Sequence, residues 1–345
     1  MNELLTNKPP LPKLYEPKVF VNYEDLALEL GISTDTHKFI EQYERTLNGF
    51  HQENIDTNKN NHDKPLAEQR AVCYNNIGSV YLSQGDYKKS EEYYNKALEI
   101  YNENRRIKTD LNVATVYHNL GWMFIELGQL KKAFGFCEKA LKIRTKLLED
   151  IVHPDIAISY NNIGVIYLQQ GNPQKALEFN ERALKMRREL YHDKPHPFLA
   201  ESYCNKGAIL GDLYRYAEAL EALSKAEHIG AQFYGEVHRE LALNINNQGC
   251  LYFRLGKDYE ALQYYYKALS IYSKLNIRCL QTGIVFESLG YVLQKKKDLE
   301  SSRKNLARAY QIYLKSGGKD NQGTRSLSHA LEDLERESAL TENNY

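Results

Sequence analysis

Five asparagines carry the strongest chemical signal in this 345-residue chain: Asn76, Asn119, Asn162, Asn205 and Asn247 each stand two residues before a glycine. Ser288 holds the sixth position, and a neighbouring column adds Asn75, Asn161 and Asn246 beside His118, Cys204 and Glu287. A carboxamide offers two donors and an acceptor, so a regular file of them suits hydrogen bonding to a peptide backbone or to one another. Asparagine disfavours a helix interior. Its recurrence in helical sequence therefore asks for a compensating contact, either with a partner or with the adjoining unit. Nothing resembling a catalytic constellation accompanies it. The chain has no GxSxG, HExxH, phosphate loop or dinucleotide fingerprint, and we expect no enzyme activity and no cofactor.

The elements that carry the amides repeat. The glycines are Gly78, Gly121, Gly164, Gly207, Gly249 and Gly290, at intervals of 43, 43, 43, 42 and 41 residues. Nineteen residues after each stands an alanine: Ala97, Ala140, Ala183, Ala226, Ala268 and Ala309. Small residues also stand seven before, such as Ala71, Ala114 and Ala157, and twelve after, such as Ala133, Ala176 and Ala219. Bulky residues four before (Tyr74, Tyr117, Tyr160, Tyr203) and three after (Tyr81, Phe124, Tyr167, Leu210) complete an apolar stripe at helical spacing. Breaks at Gly85-Asp86, Gly128-Gln129, Gly171-Asn172 and Gly256-Lys257 divide each unit into two helices. Asn172 reads as a helix cap followed by Pro173 in the first turn. Short side chains let helix backbones approach, and a unit this small buries its stripe only by stacking on the next.

This pattern of bulky residue, glycine and later alanines resembles the tetratricopeptide repeat (TPR). The usual period is about 34 residues; the longer unit here is similar to the kinesin light chain type. The stretch 153–190, HPDIAISYNNIGVIYLQQGNPQKALEFNERALKMRREL, carries the likeness best, and the resemblance covers about 67–315. It implies an all-α fold, a right-handed superhelical α-solenoid of tandem helix-turn-helix repeats. Three regions are expected. Residues 1–66 form an N-terminal segment with an extended leader, one or two helices and a polar linker. Residues 67–315 form six repeats, and 316–345 a linker with a capping helix that uses Leu327, Leu331 and Leu334.

In such arrays the first helices line a concave groove, and in peptide-binding members the asparagines bond an extended peptide. The resemblance thus implies contacts from Asn76, Asn119, Asn162, Asn205 and Asn247, with Asn75, Asn161 and Asn246 alongside, and with Trp122, Arg254 and Lys295 among the groove neighbours. Asn162 lies in the most regular repeat and is the expected central contact. The groove columns also hold Val72, Thr115 and Ile158, and Ser83, Glu126 and Gln169. No basic residue stands in these columns in the first three repeats, which argues against the carboxylate clamp of chaperone-binding members. Kinesin light chains bind acidic peptides through basic groove residues, and only Arg254 and Lys295 offer that charge. The heptad arm that joins a light chain to its motor is missing from the sequence. We therefore expect light-chain-like repeats without a motor-subunit role.

The bulk composition fits a binding module. Forty-five basic residues balance 45 acidic ones, which removes the usual electrostatic case for nucleic acid. No run approaches the roughly 18 apolar residues of a membrane span, and no signal sequence opens the chain. The five dispersed cysteines suit a reducing, cytoplasmic location. The expected partner is a protein or peptide and the expected state a monomer. A scaffold or adaptor using the convex face or N-terminal segment is the alternative, as is a peptide-sensing module acting on a partner enzyme. His153, His196 and His238 recur one per unit and are expected to be turn or packing residues rather than metal ligands. The basic residues Lys96, Lys139, Arg182, Lys225, Lys267 and Arg308 before the alanines are expected to lie over adjacent helices. Lys206, Gln248 and Tyr214 depart from the pattern, so the stack around repeats four and five is expected to be looser or differently curved, as a hinge or through degeneration of the repeat.

Overall fold

A computed structural model describes residues 36–57, 64–103, 111–149, 151–276, 279–317 and 322–342. The proline-bearing leader and the start of the N-terminal segment lie outside them. The described residues form fourteen α-helices and no strand. They fall into two compact bodies, one ending at His192 and one beginning at Asp193. The first contains α1 (Thr36–Thr57), α2 (Lys64–Ser83), α3 (Tyr87–Glu103), α4 (Leu111–Glu126), α5 (Leu130–Leu148), α6 (Pro154–Gln169) and α7 (Pro173–Tyr191). The second contains α8 (Pro197–Asp212), α9 (Tyr216–Tyr234), α10 (Arg239–Arg254), α11 (Asp258–Lys274), α12 (Leu280–Lys295), α13 (Leu299–Gly317) and α14 (Gln322–Glu342). Each is a stack of helical hairpins, an all-α repeat solenoid.

The small columns sit where helices touch. All six alanines nineteen after the glycines are buried. A Cβ on Gly121 would stand 2.5 Å from Cys137 Sγ, so α4 and α5 approach as closely as glycine allows. Each first helix ends in the same turn. The N–H groups of Asp86, Gln129, Asn172, Arg215, Lys257 and Asp298 donate back to Tyr81, Phe124, Tyr167, Leu210, Tyr252 and Leu293 at 2.9–3.0 Å. This is the Schellman closure, which needs one left-handed residue. Glycine supplies it in four repeats, but Tyr214 (φ 59°) and Lys297 (φ 65°) supply it in the others. The expectation of a looser fourth repeat fails at this turn, because Arg215 N–H still reaches Leu210 O at 2.9 Å. Gln248 is likewise accommodated: it is buried, and its Nε2 donates to Glu227 Oε2 at 2.6 Å.

The recurrent histidines are helix caps. Nδ1 of His153, His196 and His238 accepts the N–H of Asp155, Phe198 and Glu240 at 3.2, 3.2 and 3.3 Å. Pro154 and Pro197 then open α6 and α8, where a missing N–H costs nothing. Asn172 caps α7 by accepting from Lys175 N–H at 3.1 Å. At the ends, α1 buries Phe39, Ile40 and Leu47 beside Val80, Cys73 and Ile77. Leu327, Leu331 and Leu334 of α14 pack with Leu306, Ala309 and Tyr313.

Candidate functional site

The asparagine column is a set of ties between successive first helices. Asn119 Nδ2 donates to Asn75 Oδ1 at 2.9 Å, and lies 3.4 Å from Ser79 Oγ. Asn162 Nδ2 meets His118 Nδ1 at 3.3 Å, and Asn247 Nδ2 donates to Cys204 Sγ at 3.7 Å. In each case the acceptor sits in the preceding repeat, three residues before its glycine. The two columns lie about 100° apart around one helix. One therefore faces the helix before and the other the helix after. The first amide keeps the pattern by using α1, with Asn76 Nδ2 donating to Tyr43 Oη at 3.1 Å. At the far end Glu287, in the acceptor column, takes hydrogen bonds from Tyr313 at 2.6 Å and Tyr291 at 3.3 Å.

Burial divides the column. Asn162 is 0% exposed, and Asn161, Asn205, Asn246, Asn247 and Trp122 are buried too. Asn75 sits at the edge of burial, while Asn76 and Asn119 keep part of their surface. Asn162, the expected central contact, is enclosed in this structure, with its amide against His118 of the preceding first helix. Trp122 belongs to the core with Met123 and Phe124. Arg254 and Lys295 are engaged as well: Arg254 Nη1 reaches Asp212 Oδ1 at 2.9 Å, and Lys295 Nζ reaches Asp258 Oδ1 at 2.6 Å. What the first helices leave accessible lies between the two amide columns. Val72, Thr115, Ile158 and Glu126 are half-buried, and Ser83 and Gln169 are exposed.

A buried polar cluster underlies the second and third repeats. Arg144, 3% exposed, donates through Nη1 to Ser159 Oγ at 2.7 Å and to Asp155 O at 3.0 Å. Its Nε lies 3.7 Å from Asp155 Oδ2. Burial lowers the Arg144 pKa, and Asp155 pulls it back up. Burial, aided by the Arg144 charge, drives the His118 pKa down to about 3. The imidazole is therefore neutral, with Nδ1 able to accept from Asn162. Sequence reasoning missed Arg144. It stands 23 residues after its glycine, where Tyr101, Arg187, Tyr272 and Tyr313 also stand and repeat four alone has a small residue, Gly230, so the bulk of that column in five repeats was the available signal.

No reactive group emerges from the thiols. Cys73 is pushed up to about 11, and Cys137 and Cys204 to about 12, in each case mainly by burial. Among the described residues no three His, Cys, Asp or Glu side chains are grouped to hold a metal ion, and no helix is long and apolar enough to cross a membrane.

A sequence profile of the tetratricopeptide repeat matches residues 69–146, 114–189 and 196–274. Protein KINESIN LIGHT CHAIN-RELATED 2 of Arabidopsis thaliana is 31% identical over 120 residues, which is 32% of this chain. The chain spans only 18% of that relative. Among solved structures, BtubC (BKLC) from P. vanneervenii superimposes with a TM-score of 0.57 at 22% identity, covering 71% of this chain and 93% of that one. NprR in complex with its cognate peptide NprX superimposes at 0.60 and 15% identity, covering 87% and 83%. At these identities the two structures speak to the fold.

Proposed function

The chain belongs to the tetratricopeptide repeat family, with long repeats of the kinesin light chain type, and on that premise we propose that it is a non-enzymatic module holding an extended segment of a partner protein along its first helices. The observation that carries this reading is the accessible strip in the first body. Val72, Thr115 and Ile158 recur in three successive repeats, rimmed by Ser83, Glu126 and Gln169 and flanked by the part-exposed Asn76 and Asn119. Apolar side chains at regular spacing suit alternate side chains of an extended segment, and exposed amides suit its backbone. NprR, similar in fold, is known in complex with its cognate peptide. In our reading the buried amides Asn162, Asn205 and Asn247 set the spacing of the strip, while Asn76 and Asn119 touch the partner.

The neutral balance of charge supports a protein partner, and the dispersed thiols, four of five buried, support a cytoplasmic chain, which we take to be a monomer. The organisation we propose is a segment over 1–66, six repeats over 67–315 and a capping region over 316–345. The test is a displayed peptide library panned on the full chain. Selected peptides should lose about tenfold in affinity to Asn76→Ala/Asn119→Ala, each lost neutral hydrogen bond being worth roughly 0.5–1.5 kcal/mol. Peptides that bind this variant and Ile158→Asp as tightly as wild type would sink the groove reading. The scaffold reading gains from a separate observation on the second helices.

A further inference from the structure

The second helix of the second repeat differs from those of repeats one, three and four in one register, where repeats five and six carry Gln263 and Lys304. In repeats one, three and four the cation before the buried alanine is clamped by a glutamate four residues earlier. Lys96 pairs with Glu92 at 2.7 Å, Arg182 with Glu178 at 2.6 Å and Lys225 with Glu221 at 2.7 Å. In repeat two the cation is Lys139, and the residue four earlier is Gly135. Around that glycine, at positions that share one helical face, stand Lys131, Lys132, Lys139 and Lys142. All four are exposed, as is Lys146 one turn on, and none of the five makes an ion pair among the described residues. The only acid on α5 is Glu138, which lies at the edge of this face one turn before Lys142 and makes no ion pair with it among the described residues.

Two features turn this from a solvated charge run into a surface with shape. The cations are held in place without carboxylates. Lys132 Nζ lies 4.9 Å from the Phe124 ring centroid, and Lys139 Nζ lies 5.3 Å from those of both Tyr117 and Phe136. A ring face orients an ammonium group and leaves its other side open to an anion. Gly135 itself has no packing role, since a Cβ built there meets nothing within 4 Å. Glycine inside a helix is unfavourable relative to alanine, and here no close approach within the fold compensates for it. The position is a shallow notch in the centre of the lysines.

We infer that the outer face of α5 is a docking surface for an acidic segment of a partner protein, whose chain lies over Gly135 and whose carboxylates meet Lys131, Lys132, Lys139 and Lys142. This surface is on the second helix, apart from the first-helix strip, and the inference stands whether or not that strip binds peptide. A protein segment is favoured over nucleic acid because the four lysines surround a notch one residue wide, and because the chain as a whole carries no net charge. Restoring the glutamate of repeats one, three and four should close the site.

The probe is a fluorescein-labelled peptide alternating glutamate with alanine, compared by anisotropy with its glutamine–alanine counterpart on the full-length chain. Wild type should prefer the acidic peptide, and the preference should weaken as salt is raised. Gly135→Glu should melt at a higher temperature than wild type yet bind the acidic peptide about tenfold more weakly, because Lys139 is now paired and the notch filled. The variant with Lys131, Lys132, Lys139 and Lys142 all changed to Gln should lose the preference with its melting temperature kept. The proposal is overturned if wild type treats both peptides alike, or if either variant binds the acidic peptide as wild type does. It is also overturned if the lysine variant loses affinity for a DNA duplex or anionic vesicles and not for the peptide.

Discussion

The fourth repeat, α8 and α9, uses its charges on itself. Lys225 meets Glu221 at 2.7 Å, Arg215 holds Glu218 through two bonds of 2.7 and 2.6 Å, and Asp212 receives Arg254 from the next repeat at 2.9 Å. Glu227 of α9 accepts from both Gln248 and Lys267. The second repeat, α4 and α5, is built on the same plan with the distribution inverted. Its arginine is inside, folded over Ser159 and Asp155, and its lysines are outside, in no ion pair among the described residues. Aromatic packing divides the two in the same way. Phe136 of α5 stacks on Phe124 at 5.5 Å, whereas the equivalent position of α9 is Ala222. Equal numbers of acids and bases along the whole chain thus hide one repeat that is electrostatically closed and another that is open. A charge in a sequence becomes available to a partner only when the fold leaves it unpaired.

If the two repeats share one packing plan, the largest effects should be common to both. Ala140→Leu and Ala226→Leu insert a branched side chain between touching helices, and each should cost roughly 1–3 kcal/mol by thermal or urea unfolding. A cost confined to Ala140→Leu would mean that the fourth repeat is loosely packed after all. The turns give the next test. Gly128→Ala places a side chain at φ 68° and should cost about 1–2 kcal/mol, while Tyr214→Gly relieves the same strain and should stabilise by about that amount. Equal melting temperatures for Tyr214→Gly and wild type would show that Tyr214 is held by contacts that repay its conformation.

Those first tests concern what was legible in the sequence. The period, the small columns, the turns and the caps on α7 could all be read because each depends on residues close together or repeated in register. The helical cap of His153 was half legible: its turn position was visible, but imidazole is not among the usual capping groups. What could not be read was direction. Asn76, Asn119, Asn162 and Asn247 mark a face of the first helices, and only the crossing of neighbouring helices decides whether that face meets solvent or the preceding repeat. Arg254 and Lys295 looked like groove cations because their acids, Asp212 and Asp258, come from a different helix of the chain.

Smaller effects separate the polar interiors. His118 binds a proton more weakly in the folded state than when unfolded, its pKa falling from 6.5 to about 3. The unfolded chain therefore gains a proton first, and this group's contribution to stability is lost as pH drops below about 6.5. His118→Gln should show a shallower fall in melting temperature between neutral pH and pH 5 than wild type; parallel curves would place His118 in a wetter setting. The smallest expected effect is at the closed rim. Removing the carboxylate in Asp212→Asn should cost only about 0.2–1 kcal/mol, since Asp212 is 42% exposed and Arg254 keeps its hydrogen bond to Gly211 O, and a high-salt melt should shrink the difference.

The central claim is that the amides tie helix to helix, with Asn162 and Asn247 wholly enclosed and Asn76 and Asn119 keeping part of their surface for a partner. Its most direct test is the melting temperature of Asn162→Ala/Asn247→Ala beside that of wild type. Alanine is the better helix former, so a column without internal bonds would leave the variant as stable as wild type or more so. We predict the reverse. Losing the ties to His118 and Cys204 should lower the melting temperature, with each bond worth roughly 0.5–1.5 kcal/mol. An unchanged or raised melting temperature would contradict the account.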